Sequence, residues 1–133
     1  MATLDEKARK FLEQPFVGEV TTLRADGSLH TTVVWVDTDT DVVMFNTIVG
    51  RAKERHLRND PRVSLIVVDP ENAYRWVSVS GQAELTTDGA DEQIDKLAKK
   101  YIGKDEYPWR EPEQQRVTVR IRPEHVETTG LDE

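Results

Sequence analysis

Apolar positions recur along this chain in two periods, and the switches between them mark out its elements. Leu4, Ala8, Phe11 and Leu12 repeat at the spacing of one helical face and stop before Pro15, which predicts a short opening helix. Val17 to Arg24 and Leu29 to Val36 are rich in β-branched residues and flank Ala25-Asp26-Gly27-Ser28, whose Asp-Gly pair favours a tight hairpin. Asp37-Thr38-Asp39-Thr40-Asp41 is polar and reads as a turn before a third strand, Val42 to Asn46. Arg51 to Asn59 holds good helix formers and ends at Asp60-Pro61, so a short helix is expected between strands.

Val63 to Val68 is a nearly continuous apolar run, the pattern of a core strand buried on both faces. After a turn at Asp69-Pro70-Glu71-Asn72, Tyr74 to Leu85 alternates as one long strand, with Gly81 marking a bulge or a close backbone approach. From Thr87-Asp88 the period becomes helical again: Ile94, Leu97, Ala98, Tyr101 and Ile102 share a face, and Gly103 can cap it. A loop from Lys104 to Gln115 carries Tyr107-Pro108-Trp109. Val117, Val119 and Ile121 then alternate with polar residues in a last strand ending at Pro123. Six antiparallel strands with short helices predict a mainly β chain closed into a small, partly open barrel. The connections are too short for parallel crossovers, which excludes a doubly wound fold.

Composition narrows the class. The 133 residues suit one domain, 1–133, and with no long apolar run or apolar N-terminal stretch the chain is expected to be cytoplasmic, without a membrane span or export signal. The absence of cysteine removes disulfide, thiol and thiolate-metal chemistry. A pI near 5.0 disfavours nucleic acid and anionic membranes, which need an extended basic face. The expected partner is a small molecule.

One stretch departs from the acidic average. Arg51, Lys53, Arg55, Arg58 and Arg62 stand against only Glu54 and Asp60, so this block is net +3 in a chain of −7. Placed behind Thr47 and Gly50, it reads as a cradle for a small anion, phosphate first. On a helix the cations cannot all reach one oxygen. Thr47, Arg51 and Lys53 would meet a phosphate at the helix start, with Arg55 or Arg58 reaching farther along an acidic ligand. The same block would also serve as a solvated helix face with Glu54 and Asp60 as partners. Tyr74 and Trp76 share one strand face and Trp35 lies on another strand; they would border a planar cofactor or pack a core or dimer contact. His30, His56 and His125 have no metal-site spacing. Walker, G-x-G-x-x-G, G-x-S-x-G and H-E-x-x-H motifs are absent, so any reaction would be carried by a bound cofactor.

The run Thr47…Gly50-Arg51-Ala52-Lys53-Glu54-Arg55-His56-Leu57-Arg58-Asn59-Asp60-Pro61-Arg62-Val63 resembles the GRAK-x-R-x-L-x-x-D-P-R-V segment of the pyridoxamine 5′-phosphate oxidase-like split-barrel proteins. Within them it is most similar to the deazaflavin-dependent group B oxidoreductases, which use coenzyme F420. Tyr74 to Glu84, Lys100 to Pro108 and Arg116 to Pro123 agree with the same pattern, in order, along nearly the whole chain.

The resemblance implies a six-stranded split barrel forming a homodimer, with two cofactor sites between the subunits. It implies that Thr47, Arg51 and Lys53 hold the cofactor phosphate, that Ala52 lies in the same cofactor-binding segment, and that Arg55 and Arg58 meet the acidic tail. Thr32, Val33, Val34 and Trp35 would line the ring. Tyr74, Arg75, Trp76 and Val77 would approach from the dimer cleft, from the second subunit. The implied reaction is hydride transfer from reduced deazaflavin to an activated double bond, quinone or tetrapyrrole-like acceptor, with no obligatory catalytic side chain. Flavin mononucleotide would suit the same phosphate residues, and a carrier that binds without turnover is a further alternative. The chain stops at Glu133, without the longer C-terminal portion of authentic pyridoxamine phosphate oxidases, so vitamin B6 oxidation is not expected.

Overall fold

The computed structural model describes residues 2–132. Its first helix, α1 (Glu6–Leu12), starts where Asp5 accepts the backbone N–H of Ala8 at 2.8 Å, and Leu4, Ala8, Phe11 and Leu12 are all buried on its inner side. Strands β1 (Gly18–Leu23) and β2 (Leu29–Val34) form the expected hairpin, with Gly18 opposite Val34 and Leu23 opposite Leu29. Strand β4 (Val42–Ile48) leads into helix α2 (Ala52–Asn59), and β5 (Arg62–Asp69) pairs with β6 (Asn72–Thr86). Helix α3 (Ala90–Ile102) then ends at Gly103, whose φ of 70° is the left-handed conformation that glycine takes without strain. None of the helices is long and apolar enough to cross a membrane among the described residues.

Three expectations need correction. Asp37–Asp39, expected as a turn, is a short strand, β3, pairing Asp37 with Met44 and Asp39 with Val42, so the sheet has seven strands rather than six. A polar edge strand is tolerated because only one side needs partners, and Asp37 meets Lys96 at 3.1 Å. The final strand, β7 (Arg116–Thr129), continues past Pro123. Proline is accommodated there because the register slips between Ser80 and Gly81, so Gly81 faces Pro123 while Ser80 faces His125. A Cβ at Gly81 would lie 2.0 Å from the Arg122 carbonyl oxygen, which explains the glycine. Lastly, β5 is buried on one face only: Val63, Leu65 and Val67 point inward, whereas Ser64 and Val68 are exposed. Ile102 is likewise exposed at the end of the α3 apolar stripe.

All strand pairings are antiparallel, in the order β2-β1-β5-β6-β7-β4-β3. The two edge strands are consecutive in the chain, joined only through Trp35 and Val36, so the sheet wraps around its core and leaves a seam between its edges. Val20, Phe45, Leu65, Val77, Val79, Val119 and Ile121 fill that core. At the seam the backbone of Val36 is bonded by side chains instead of a neighbouring strand. Its N–H donates to the Tyr101 hydroxyl at 2.9 Å, and its carbonyl accepts from Lys100 Nζ at 2.6 Å. The Tyr101 hydroxyl in turn donates to the Phe16 carbonyl at 2.8 Å.

Candidate functional site

A cleft of about 250 Å³ opens beside this seam, between the C-terminal half of β4, the start of α2, the end of β2 and the inner face of α3. Its polar end is built by a turn. Gly50 takes a φ of 93°, and its N–H donates to Glu54 Oε1 at 2.8 Å. Glu54 is 2% exposed and its second oxygen is held by Arg58. Glu54 is therefore a buried brace that reaches back over the turn, not a partner on a solvated helix face. Since no side chain caps α2, the backbone N–H groups of its first turn remain available to an acceptor.

Thr47 stands at the end of β4, 1% exposed, and its hydroxyl has no hydrogen-bond partner. Buried hydroxyls are nearly always satisfied, so an orphaned one in a residue that lines a cleft is a candidate donor to a ligand. Lys53 is half-buried and donates to Thr32 Oγ1 at 3.0 Å. Burial lowers its pKa from the ordinary lysine value, and the nearby charge of Arg51 lowers it further. A bound anion would offset both effects.

Val33, Val34 and Trp35 form the wall at the end of β2. Trp35 is stacked on Tyr101 with ring centroids 5.3 Å apart and planes 8° from parallel, and it meets the edge of Tyr107 at 6.1 Å. Opposite lie Ile94 and Leu97 of α3, then Tyr107 and Trp109 from the loop that follows it. Arg116, at the head of β7, is 7% exposed; its guanidinium lies 4.6 Å from the Tyr107 ring and donates to Asn46 Oδ1 at 3.2 Å. Asn46 is itself oriented by the Ala90 carbonyl and by Gln93. Arg51, Lys53 and Arg116 thus converge on a cleft lined by no described carboxylate, in a chain of net charge −7.

Six expected residues line this cleft together: Val33, Val34, Trp35, Thr47, Arg51 and Lys53. Thr32 joins them through Lys53. The others lie elsewhere in the protomer. Arg58 is engaged by Glu54, whereas Arg55 donates to the Gly50 carbonyl at 3.1 Å and, with Ala52, borders a separate cavity along α2. Tyr74 is 81% exposed, and Arg75 pairs with Asp69 at 2.5 Å over the face of Phe11. Trp76 is half-buried opposite Val68 and Thr129, and Val77 is sealed in the core.

Sequence reasoning missed Asn46, Ile94, Leu97 and Arg116 as cleft residues. Ile94 and Leu97 read as ordinary apolar-face positions. Arg116 reads as a strand arginine, and only the pairing of β4 with β7, Ile48 opposite Arg116, brings it to the polar end of the cleft.

A family model for pyridoxamine 5′-phosphate oxidase matches residues 4–130. Among solved structures, a protein named F420 Reductase is 30% identical over 90% of this chain and 94% of its own, with a TM-score of 0.78. A conserved hypothetical protein of Mycobacterium tuberculosis is 23% identical, covering 99% of this chain and 86% of its own, at a TM-score of 0.75. General Stress Protein 26 of Bacillus anthracis is 18% identical, with coverages of 93% and 92% and a TM-score of 0.68. The last two share the fold.

Proposed function

The chain belongs to the pyridoxamine 5′-phosphate oxidase family, and from that premise we propose that it is an oxidoreductase binding coenzyme F420 and delivering hydride to a small organic acceptor. The observation that carries this reading is the orphaned Thr47 hydroxyl beside Lys53 and Arg51, at an uncapped helix start. The relative named F420 Reductase supports the choice of a deazaflavin.

In its reduced state such a cofactor supplies a hydride to an electrophilic carbon or quinone. The residues of this chain bind and orient it. Thr47 donates to one phosphate oxygen, Lys53 and Arg51 neutralise the charge, and the first turn of α2 adds backbone donors. Val33, Val34 and the braced Trp35 flank the ring. Ile94, Leu97, Tyr107 and Trp109 keep water from the opposite wall. No carboxylate or histidine among the described residues lines the cleft, and we assign no obligatory side-chain acid to the protonation that completes the reduction.

A homodimer completes this site in our reading. The cleft of about 250 Å³ is smaller than the ~300–1,000 Å³ of a typical small-molecule site. Val17, Val33, Val68 and Tyr74 are apolar or aromatic and exposed in the single protomer. A second reading, flavin mononucleotide, is favoured by one observation. Arg58 is engaged with Glu54 and Arg55 borders another cavity, so the contacts that would select an acidic tail are not gathered in the cleft.

Titration with reduced and oxidised F420 and with flavin mononucleotide, followed by quenching of Trp35 and Trp109, tests the cofactor. Saturable F420 binding followed by acceptor-dependent oxidation of reduced F420 is the expected result. Binding of flavin alone would replace the cofactor, and F420 binding without turnover on quinones, enones, nitroaromatics or tetrapyrroles would make the protein a carrier.

A further inference from the structure

A second cavity, of about 530 Å³, lies along α2 and has its own lining, sharing no residue with the cleft. It is lined by Arg24 and Ala25 beyond β1, by His30 of β2, and by Ala52, Arg55, His56 and Asn59 of α2. Both arginines are held by neutral oxygens. Arg24 donates to the Leu29 carbonyl at 2.6 Å and to Ser28 Oγ at 3.4 Å, and Arg55 donates through Nε to the Gly50 carbonyl. Neither forms an ion pair among the described residues, so each keeps guanidinium donors free.

Two imidazoles complete the wall. The His30 and His56 rings meet edge to face, centroids 5.0 Å apart, and His56 Nδ1 lies 2.9 Å from Thr22 Oγ1. The His30 Nδ1 atom is buried without any partner. Asp26, the carboxylate in the neighbouring hairpin turn, is occupied by the backbone N–H and hydroxyl of Ser28.

We propose that this cavity is an oxyanion site, taking a carboxylate or phosphate against Arg24, Arg55 and the paired imidazoles of His30 and His56, with affinity rising as pH falls. The cluster gathers two arginines and two imidazoles from three elements; the neighbouring Asp26 carboxylate, its pKa lowered first by its bonds to Ser28 and then by the Arg24 charge, is already engaged by Ser28. Burial holds the His56 pKa below its ordinary value, and the charges of His30, Arg24 and Arg55 lower it further. An oxyanion reverses the electrostatic part of that penalty, so binding favours the protonated His56 imidazole. The ligand is either a free small anion or the acidic end of a molecule whose phosphate occupies the cleft. The two cavities share α2 and β2 as walls: Lys53 meets Thr32 at one, and His56 meets His30 about one helical turn along at the other.

The test follows the His30 and His56 side-chain resonances by NMR while citrate, inorganic phosphate, F420 or flavin mononucleotide is added at about pH 5.5 and about pH 7.5, on either side of the ordinary histidine value. Citrate or phosphate should shift both rings, with about tenfold tighter binding at the lower pH. The shift should vanish in the double variant R24Q/R55Q. If only the tailed cofactor shifts the rings, the occupant is the tail, and the site stands. Lys53→Ala should leave citrate binding intact, which separates this site from the phosphate cleft even if the F420 reading fails. Should the double variant lose its fold, R55Q alone carries the comparison, since the one side-chain hydrogen bond of Arg55 among the described residues is to the Gly50 carbonyl. Rings unmoved by all four ligands, or shifts unchanged in the arginine variants, would overturn the proposal.

Discussion

The Glu54 carboxylate accepts the Gly50 backbone N–H at 2.8 Å from a position 2% exposed, and this contact sets the shape of the turn that carries Arg51. The acidic residue inside the basic block is thus a structural member. Glu54→Ala should remove the brace, free Arg58 and cost about 1.5–3 kcal/mol of stability, the range for a hydrogen bond to a charged group. Glu54→Gln keeps an acceptor for Gly50 and should lose less than half as much. Urea unfolding of both variants checks the difference; equal losses would mean that the ion pair with Arg58, not the turn, is what matters.

Thr47→Val should move stability and affinity in opposite directions. Removing a buried hydroxyl that has no partner relieves a desolvation cost of about 1–3 kcal/mol, so the free protein should be at least as stable as the parent. Loss of a phosphate donor should weaken cofactor binding by about 1 kcal/mol, roughly fivefold. Thermal unfolding paired with fluorescence titration reads both signs. If affinity is unchanged, Thr47 is a packing residue.

Lys53→Ala should weaken binding by about 1.5–3 kcal/mol, or roughly 10- to 150-fold, if its ammonium meets the phosphate. A pH dependence accompanies it. Burial and Arg51 hold the Lys53 pKa below the ordinary lysine value in the free protein, and a bound phosphate raises it. Affinity is therefore full while Lys53 is protonated and falls as pH rises through its lowered free-state pKa. In the alanine variant that alkaline fall should disappear from the titrations.

Lys100 supplies a stability profile with the opposite slope. Burial pushes its pKa down to about 8, although Asp37 and Glu13 pull it upward. Between about 8 and the ordinary 10.5 the unfolded chain binds more protons than the folded one, so stability from this group rises with pH across that window. Lys100→Met should abolish the rise. Unfolding free energies measured at several pH values through the window, parent against variant, show whether the two curves diverge in the expected sense.

Much of this fold is written in local pattern. The Asp26-Gly27 turn, the α1 stripe and the α3 stop at Gly103 each follow from a few neighbouring residues, and three polar residues of the cleft, Thr47, Arg51 and Lys53, lie within one short run. What escaped depends on partners distant in sequence. Asp37–Asp39 becomes a strand only because β4 is beside it, and Pro123 stays within β7 only because Gly81 gives way opposite. The family resemblance implies a common destination for Arg55 and Arg58, whereas within the protomer Glu54 engages one and the other donates to the Gly50 carbonyl beside a different cavity. Charge spacing gives the angle of a side chain around a helix but not which acceptor claims it.

The seam at Val36 has a kinetic meaning. Elsewhere, opening the sheet requires breaking a ladder in which each rung supports the next, whereas here two side chains from α3 stand in for an entire strand. The Trp35 wall of the cleft is attached to that junction and stacks on one of the same two residues. Local breathing of the barrel should therefore begin at this point, with amide exchange at Val36 outpacing exchange in β5 and β6. The latch that closes the barrel also controls how long the cleft keeps its shape.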